Sequence, residues 1–410
     1  MTYTLKRLGV KAIVALGLGL GAWTSVEAQS LTWLGTLGGD VSWAYGVSAD
    51  GAVVVGWATD ANAFVRAFRW TAQGGMKDLG TLGGNRSEAW GVSADGSVVV
   101  GWAEDNSWQR RAFRWTAQTG MQDLSTPSSY QSEAYAVSAD GLAVVGAVVV
   151  TSGYGYAFRW TRNEGVGYLG TSSNSAALGV SADGAVVVGY AAFPPVYYVS
   201  RAFRWTVSEG LRDLGVSENL ASVAYGVSAD GSVVVGWAFN ASGAGRAFRW
   251  TESSGMQDLG TLGGDRSEAY GVSADGSVVV GWAEDNSWQR RAFRWTAAGG
   301  MEELNQTYAS LLTNGSLLWE ARAISPDGRY IVGMGFNAAT GRYEAFLLDT
   351  QASQVPGDVN GDGCVDDGDL LAVLFQFGQS GSGLPEDVNG DGTVDDADLL
   401  TVLFNFGRGC

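Results

Sequence analysis

Two twelve-residue segments near the C-terminus carry the residue types and spacing of a calcium-binding loop. DVNGDGCVDDGD begins at position 358, and DVNGDGTVDDAD begins at position 387. In such a loop, positions 1, 3, 5, 7, 9 and 12 supply oxygen ligands, and a glycine at position 6 makes the sharp turn. The predicted ligands, with the backbone carbonyl serving at Cys364 and Thr393, are Asp358, Asn360, Asp362, Cys364, Asp366 and Asp369 in the first loop and Asp387, Asn389, Asp391, Thr393, Asp395 and Asp398 in the second.

These ligand sets consist of oxygen atoms only, and they are too numerous for Mg²⁺, so the sequence predicts two calcium ions. Four carboxylates in each loop repel one another when no cation is present. We therefore expect the folding of this segment to depend on calcium. The alternative is a solvated acidic loop, against which the two matching twelve-residue segments argue.

Each loop runs into one apolar segment, LLAVLFQFG or LLTVLFNFG, which predicts a single helix after each loop. A calcium loop followed by one helix, present twice in 358–410, resembles a type I dockerin. The resemblance implies binding to a cohesin module on a scaffold or surface protein. Where that family often has Ser-Thr at loop positions 10 and 11, this chain has Asp367-Gly368 and Asp396-Ala397. Where basic residues often follow, it has Leu374-Phe375 and Leu403-Phe404, which form either the contact or a small core between the helices.

The only two cysteines, Cys364 and Cys410, lie in the same segment. In an exported protein such a pair favours a disulfide, which would tie the chain end to the first loop. The alternative is a pair of free thiols.

Several chemistries are excluded by composition. The chain has no histidine, which removes Ser–His and Cys–His catalysis and histidine-ligated metals. Its formal charge of −17 disfavours nucleic acid and anionic membranes as partners. Residues 351–410 hold eleven acids and one base, so most of that charge belongs to the calcium segment.

The N-terminus has the three regions of an export signal. Lys6, Arg7 and Lys11 are basic, the apolar run 12–23 is too short to span a bilayer, and small residues flank Glu27. We predict a signal peptide over 1–28, secretion to the exterior or cell surface, and no membrane span after its removal. The alternative is a short buried helix.

The middle of the chain repeats with a period of about 45 residues. The turn sequence VSADG recurs, and so does AFRW; we number the copies 1 to 7 by their turn aspartates, which are Asp50, Asp95, Asp140, Asp183, Asp230, Asp275 and Asp327. Copies 2 and 6 are almost identical, because 81–117 and 261–297 differ only at Asn85/Asp265 and Trp90/Tyr270. A fixed period of this length predicts a stacked array or a propeller.

Each copy reads as four short strands, and the Asp-Gly dipeptide suits a tight hairpin between the first two. The last copy lacks a fourth strand, and an orphan segment at 31–35 matches the fourth-strand signature. We therefore predict a mainly β fold, a seven-bladed β-propeller over 29–350 closed by this N-terminal strand. A linker over 351–357 and the small α calcium domain over 358–410 follow. An open β-solenoid is the alternative, and it leaves the orphan strand unexplained.

The AFRW arginines are expected between neighbouring sheets or at their rim. They either pair with the turn aspartates, or the aspartates serve turn geometry alone; the arginines are Arg69, Arg114, Arg159, Arg204, Arg249 and Arg294.

The AFRWT…GMQDLGTLGG…AYGVSADGSVVVGWA unit resembles the extracellular HAF repeat over about 31–350. The SPDG turn of copy 7 is also similar to TolB-type propeller blades. The resemblance implies an extracellular location and assigns no chemistry.

The loops between the second and third strands vary from copy to copy, and divergent loops on a rigid scaffold are where binding is usually built. They carry the candidate ligand-face aromatics Phe64, Trp108, Tyr154, Phe193, Tyr197, Tyr198 and Trp288. We predict a glycan or protein ligand there, unless the loops vary only because nothing constrains them.

The leading hypothesis is therefore an exported, non-catalytic binding propeller that docks through the calcium module, and no catalytic residue is predicted. The alternative is a propeller glycoside hydrolase, which requires two unique, closely spaced carboxylates. The loop acids Glu104 and Asp105 recur as Glu284 and Asp285, which is typical of a structural role.

Overall fold

A computed structural model describes residues 29–125, 129–150, 153–170, 173–194, 196–215 and 220–350 of the repeat region, without the side chains of 196–198. In the C-terminal part it describes 357, 359, 365–381, 384, 386–389 and 391–407. The chain forms two compact units, one spanning Gln29–Gln351 and the other including Ala352–Cys410.

The repeat region consists almost entirely of short strands. The first thirteen are β1 (Ser30–Trp33), β2 (Gly38–Val47), β3 (Val54–Asp60), β4 (Val65–Thr71), β5 (Gly75–Asp78), β6 (Gly83–Val92), β7 (Val98–Asp105), β8 (Arg110–Thr116), β9 (Gly120–Asp123), β10 (Ser129–Val137), β11 (Ala143–Val150), β12 (Gly155–Thr161) and β13 (Gly165–Tyr168). The remaining fifteen are β14 (Ala176–Val180), β15 (Val187–Phe193), β16 (Val196–Thr206), β17 (Gly210–Asp213), β18 (Ser222–Val227), β19 (Val233–Phe239), β20 (Gly245–Thr251), β21 (Gly255–Asp258), β22 (Gly263–Val272), β23 (Val278–Asp285), β24 (Arg290–Thr296), β25 (Gly300–Glu303), β26 (Leu317–Ile324), β27 (Tyr330–Asn337) and β28 (Arg342–Asp349). One helical turn, α1 (Leu304–Thr307), and a 3₁₀ turn at Ala309–Leu311 precede β26.

The strands form antiparallel sheets in chain order. Copies 2 to 6 each make a separate four-stranded sheet, β6–β9, β10–β13, β14–β17, β18–β21 and β22–β25. The other eight strands form two four-stranded groups, β2–β5 and β26-β27-β28-β1, which are connected by a single bridge between Val41 and Tyr343.

The orphan N-terminal segment lies where the sequence predicts it. Strand β1 pairs antiparallel with β28, with Ser30 opposite Asp349 and Trp33 opposite Phe346. The N–H of Leu34 continues the pairing by donating to the Ala345 carbonyl at 2.9 Å. The last copy thus receives its fourth strand from the beginning of the repeat region.

The turn after the first strand of each copy is held by its serine and aspartate. In copy 1, the Ser48 hydroxyl donates to Asp50 Oδ1 at 2.6 Å and accepts the N–H of Val53 at 2.9 Å. Successive turns are also connected, since the N–H of Ala49 donates to the Ala94 carbonyl and the pattern repeats as far as Pro326. Proline has no N–H, so Pro326 cannot donate the corresponding bond onward.

The AFRW arginines contact the neighbouring turn through its backbone. Arg204 Nε, for example, donates to the Gly231 carbonyl of the next copy at 3.1 Å, and the arginines from Arg69 to Arg249 repeat this contact. The turn aspartates bond within their own turns instead. These arginines therefore do not pair with the turn aspartates, a possibility that the sequence left open. The aspartates serve turn geometry.

The core lies between adjacent sheets. Each cluster joins residues of two neighbouring copies, as where Val235 and Ala247 of copy 5 pack with Ala269 and Phe293 of copy 6. The phenylalanine of each AFRW or AFLL segment is fully buried; these residues are Phe68, Phe113, Phe158, Phe203, Phe248, Phe293 and Phe346. Each sheet lies between two neighbouring sheets, which explains why its strands carry apolar residues on both faces.

The described residues of the second unit form two helices of equal length, α2 (Asp367–Gln376) and α3 (Asp396–Asn405). Each begins at a capping box in which an aspartate caps the helix and a second aspartate bonds back to it. Its small core consists of valines that are fully buried: Val365, Val373, Val394 and Val402. Within the residues described, no helix is long and apolar enough to cross a bilayer.

Candidate functional site

The first strand of every copy has a β-bulge at the same place. The pairing skips one residue, as between Ala44 and Gly46 of β2, and an equivalent shift occurs in each copy. A bulge re-aims the extra side chain and is often found beside functional sites. The extra residues, here called the central ring, are Tyr45, Trp90, Tyr135, Leu178, Tyr225, Tyr270 and Arg322.

The central ring lines a cavity of about 480 Å³ together with the two residues that follow each ring position. In every copy, the first of these two residues is glycine or alanine and the second is valine or isoleucine. Small and apolar residues therefore form this part of the cavity wall. The volume is within the range of small-molecule sites. The cavity brings together positions about 45 residues apart in the chain, which the sequence analysis did not recognise.

Neighbouring members of the central ring contact one another. The rings of Trp90 and Tyr135 lie 4.5 Å apart, and those of Tyr225 and Tyr270 lie 5.1 Å apart. The Arg322 guanidinium lies 4.0 Å from the centre of the Tyr270 ring. Its Nη2 atom is 2.5 Å from Glu320 Oε2, and this ion pair neutralises the one charged side chain among the described residues that line the cavity.

Four glutamates lie two residues before ring positions: Glu88, Glu133, Glu268 and Glu320. Two of them are held by arginines that follow the EDNSWQ loops. Arg110 Nη1 donates to Glu133 at 2.6 Å, and Arg290 Nη1 donates to Glu320 at 2.9 Å. The sequence analysis missed this layer, although the recurring Glu-Ala-aromatic pattern was a signal for it.

Burial raises the pKa values of the other two, Glu88 and Glu268. A hydrolase would need a unique carboxylate pair, but these residues occupy equivalent positions in the near-identical copies 2 and 6. Each also bonds to its own ring residue, Glu88 to Trp90 Nε1 at 2.9 Å and Glu268 to the Tyr270 hydroxyl at 2.8 Å. A structural role in shaping the ring accounts for both contacts.

The one ring position at which copies 2 and 6 differ has a visible consequence. In copy 6, the Tyr270 hydroxyl donates to Glu268 and accepts from Trp282 Nε1 at 3.0 Å. In copy 2, Trp90 has no oxygen to accept a hydrogen bond. The equivalent indole N–H, on the buried Trp102, consequently lacks a partner of good geometry.

Tyr270→Phe is therefore expected to destabilise the protein by about 1–3 kcal/mol, because it leaves the Trp282 N–H buried without an acceptor and removes a bond to a carboxylate. Chemical denaturation would measure the loss. Tyr225→Phe is the matched control: its hydroxyl accepts from Trp237 Nε1 at 3.1 Å but bonds to no glutamate in the described contacts. We expect the control to lose less, and an equal loss would contradict the assigned role of Glu268.

The predicted ligand-face aromatics differ in exposure. Phe64, Trp108, Tyr154 and Trp288 are exposed. Phe193 is half-buried at the end of β15, with the Arg201 guanidinium 5.1 Å from its ring centre. The backbone of Tyr197 and Tyr198 belongs to β16, and their side chains lie outside the described residues.

The second predicted calcium loop is described at all six ligand positions. Asp387 accepts the N–H groups of Asp391 at 3.1 Å and Gly392 at 2.8 Å through its two oxygens. Asp398 is fully buried and accepts the N–H groups of Asn389 at 3.0 Å and Asp395 at 2.9 Å. The loop's own backbone therefore orients these carboxylates.

The first loop is described only in part. Asp366 caps α2, and Asp369 is buried and accepts the N–H groups of Val359 and Asp366, as Asp398 does in the second loop. Asp358, Asn360, Asp362 and Cys364 lie outside the described residues, and so does Cys410. Both cysteines of the predicted disulfide are thus outside them.

The donor chemistry of the second loop fits calcium. Its donors are carboxylate, amide and carbonyl oxygens, and residues 352–407 contain no lysine, arginine or histidine that could neutralise the buried Asp398. In the portion of the chain that the structure describes, no three acidic, thiol or imidazole side chains are grouped as a metal cluster. Asp387, Asn389, Asp391, Asp395 and Asp398, with the Thr393 carbonyl, would hold the ion, which would supply the missing positive charge.

No protein-family model matches the chain, and no curated protein does. Among solved structures, puromycin hydrolase is similar with a TM-score of 0.50 and 15% identity, over 76% of this chain and 54% of that one. A TolB-type protein from Agrobacterium tumefaciens aligns with a TM-score of 0.43 and 15% identity, over 64% of this chain and 89% of that one. The chain thus spans about half of puromycin hydrolase, and at this identity the likeness concerns the fold alone. The likeness to puromycin hydrolase, together with the four-stranded sheets, defines the chain as a multi-bladed β-propeller.

Proposed function

We propose that the chain is an exported, non-catalytic binding protein. In this proposal, residues 1–28 are a signal peptide and 29–350 form a seven-bladed propeller of HAF-type repeats. Residues 358–410 form a calcium-dependent, dockerin-like module that attaches the propeller to a cohesin-type partner at or near the cell surface. The pairing of β1 with β28 supports the closed ring of seven blades.

One observation carries the docking part of this proposal. The valines fill the core between α2 and α3, which leaves the apolar pairs Leu374-Phe375 and Leu403-Phe404 at the surface. Phe375 and Phe404 are each 81% exposed. Exposed aromatic and aliphatic side chains grouped on a small unit are typical of interaction sites and of binding hot spots.

The test is binding of the full chain to an immobilised type I cohesin module in the presence of calcium. Phe375→Ser combined with Phe404→Ser is expected to weaken binding at least about tenfold, because each loses an apolar anchor. Val207→Ser is the control, since Val207 is an equally exposed apolar residue of the propeller. Failure of the wild-type chain to bind cohesin, or equal binding by the double variant, would refute the docking proposal.

A glycoside hydrolase is the second candidate, and the raised pKa values of Glu88 and Glu268 favour it. A carboxyl group that keeps its proton is suited to act as a general acid. Hydrolysis of a soluble polysaccharide that Glu88→Gln abolishes, at unchanged stability, would establish this activity. The equivalence of the two glutamates makes the binding function the better supported.

A further inference from the structure

Five copies share one turn between their second and third strands. In copy 2, the N–H of Asp105 donates to the Gln109 carbonyl at 3.0 Å, and the N–H of Trp108 donates to the Asp105 carbonyl at 3.0 Å. Copies 1, 3, 5 and 6 repeat both bonds at the equivalent positions. This is the hairpin loop in which a tight turn is followed by one residue in the left-handed conformation.

That fourth turn position is suited to glycine. It is Gly153 in copy 3 and Gly243 in copy 5, with φ of 83° and 82°. In copies 2 and 6 the same position holds Trp108 and Trp288, each with φ of 61°. A residue with a Cβ, and a bulky one above all, adopts this backbone conformation at an energetic cost.

Burial does not compensate for that cost, because Trp108 and Trp288 are each 63% exposed. The turn nevertheless holds them firmly. Asp105 Oδ1 accepts the N–H groups of Ser107 at 2.7 Å and Gln109 at 3.1 Å, while Oδ2 accepts Arg111 Nε at 2.7 Å. A large aromatic side chain is thus presented to solvent from a rigid, strained turn, and strain of this kind points to function.

The residues next to each of these tryptophans in the sequence are uncharged and carry polar groups that can form hydrogen bonds. Asn106, Ser107 and Gln109 flank Trp108, and the same three residue types flank Trp288. The electron-rich face of an indole attracts the polarised C–H bonds of a sugar ring, while amides and hydroxyls match sugar hydroxyls. Phe375 and Phe404, by contrast, have further exposed leucines next to them in the same helices, which suits an apolar protein partner.

We propose that Trp108 and Trp288 are two stacking platforms for a neutral polysaccharide, which the propeller binds at both turns at once. This inference rests on the proposed binding function and names its ligand class. The two platforms are identical in sequence and belong to one unit, so a repeating polymer matches both. Simultaneous engagement raises the apparent affinity above that of either platform.

The test is binding of the full chain, with calcium, to cellulose, xylan, mannan, chitin and starch. Affinity electrophoresis serves for the soluble polymers and a pull-down for the insoluble ones. At least one polymer is expected to bind and to perturb the tryptophan fluorescence. Trp108→Gly and Trp288→Gly are each expected to weaken that binding about 100-fold, because the remaining platform binds without avidity, and the double variant is expected to lose it.

These substitutions should also raise the melting temperature slightly, because glycine relieves the left-handed backbone. Loss of binding by a more stable protein cannot be attributed to misfolding. Ala63→Gly is the matched control: it relieves the same conformation in copy 1, where φ is 61°, and removes no indole. It should gain stability and keep full binding.

Absence of binding to all five polymers, or full binding by the double variant, would overturn the inference. Selective capture of a protein through the two indoles, with no polysaccharide bound, would overturn it as well. Cohesin binding measured on the same variants separates this inference from the docking proposal. If it persists while no polysaccharide binds, only the indole platforms are refuted.

Discussion

Replacing Asp398 by Asn is expected to weaken calcium binding at the second loop by at least about 10–100-fold. Mutation of residues that only hydrogen-bond to a metal ligand already causes losses of this size. The carboxylate is fully buried, and two backbone N–H groups aim its oxygens. Its charge has no basic neighbour within residues 352–407. Asparagine keeps the shape and one acceptor oxygen but removes the charge that attracts the cation.

Calorimetry with the full chain measures the affinity, and hydrogen exchange of α2 and α3 measures the folding of the unit. Chelation should raise exchange in both helices of the wild-type protein and leave the propeller strands unchanged, because the binding free energy of the ion is also folding free energy. Asp396→Asn removes the same charge at an exposed position of α3 and is the matched control. Similar affinity losses in both variants, or no calcium binding by the wild type, would contradict the predicted site.

Deleting residues 29–35 is expected to lower the melting temperature by about 10 °C, on the order of 5 kcal/mol or more. The deletion removes the four-residue pairing with β28 and the buried Leu34. It also takes away Leu31 and Trp33, which pack on the core of the last copy. The newly unpaired edge of β28 should promote aggregation, since exposed edges pair with other chains.

Leu214→Ala separates the effect of ring closure from that of a lost leucine. Leu214 follows β17 as Leu34 follows β1, is similarly buried, and donates its N–H to Ala202 at the same 2.9 Å. This control should cost about 2–4 kcal/mol and leave the light scattering of the protein as in the wild type. The closing role of β1 is wrong if the deletion melts and aggregates no more readily than Leu214→Ala. Thermal unfolding with light scattering gives both readouts.

Much of the fold follows from short stretches of sequence. The Asp-Gly turns, the apolar strands and the 45-residue period predict four strands in each copy, because hairpins are decided by residues close together in the chain. The position of β1 could also be predicted, since the missing fourth strand of copy 7 and the orphan segment match. The predicted calcium ligands of each loop lie within twelve consecutive residues, so the sequence alone is enough to predict them.

Other features depend on contacts between distant residues. The sequence does not decide whether Phe375 and Phe404 form a core between the helices. In the structure Val373 and Val402 fill that core, and the two phenylalanines are exposed. Phe193 shows the opposite outcome, because the sequence placed it in a long loop and the structure half-buries it. Strand β15 ends at Phe193 and β16 begins at Val196, so the connection is short, and Arg201 covers the ring.

The residues of this chain, taken in order, define its repeats, its turns and its two oxygen-rich loops, because each depends on neighbours within a few tens of residues. The central ring is a property of the tertiary structure. Its seven members are ordinary strand residues in their own copies, and they share a cavity only because seven bulges turn them inward and the sheets are arranged around one space. The strain at Trp108 and Trp288 is likewise invisible in the letters EDNSWQR, since it arises from a backbone angle that the folded hairpin imposes.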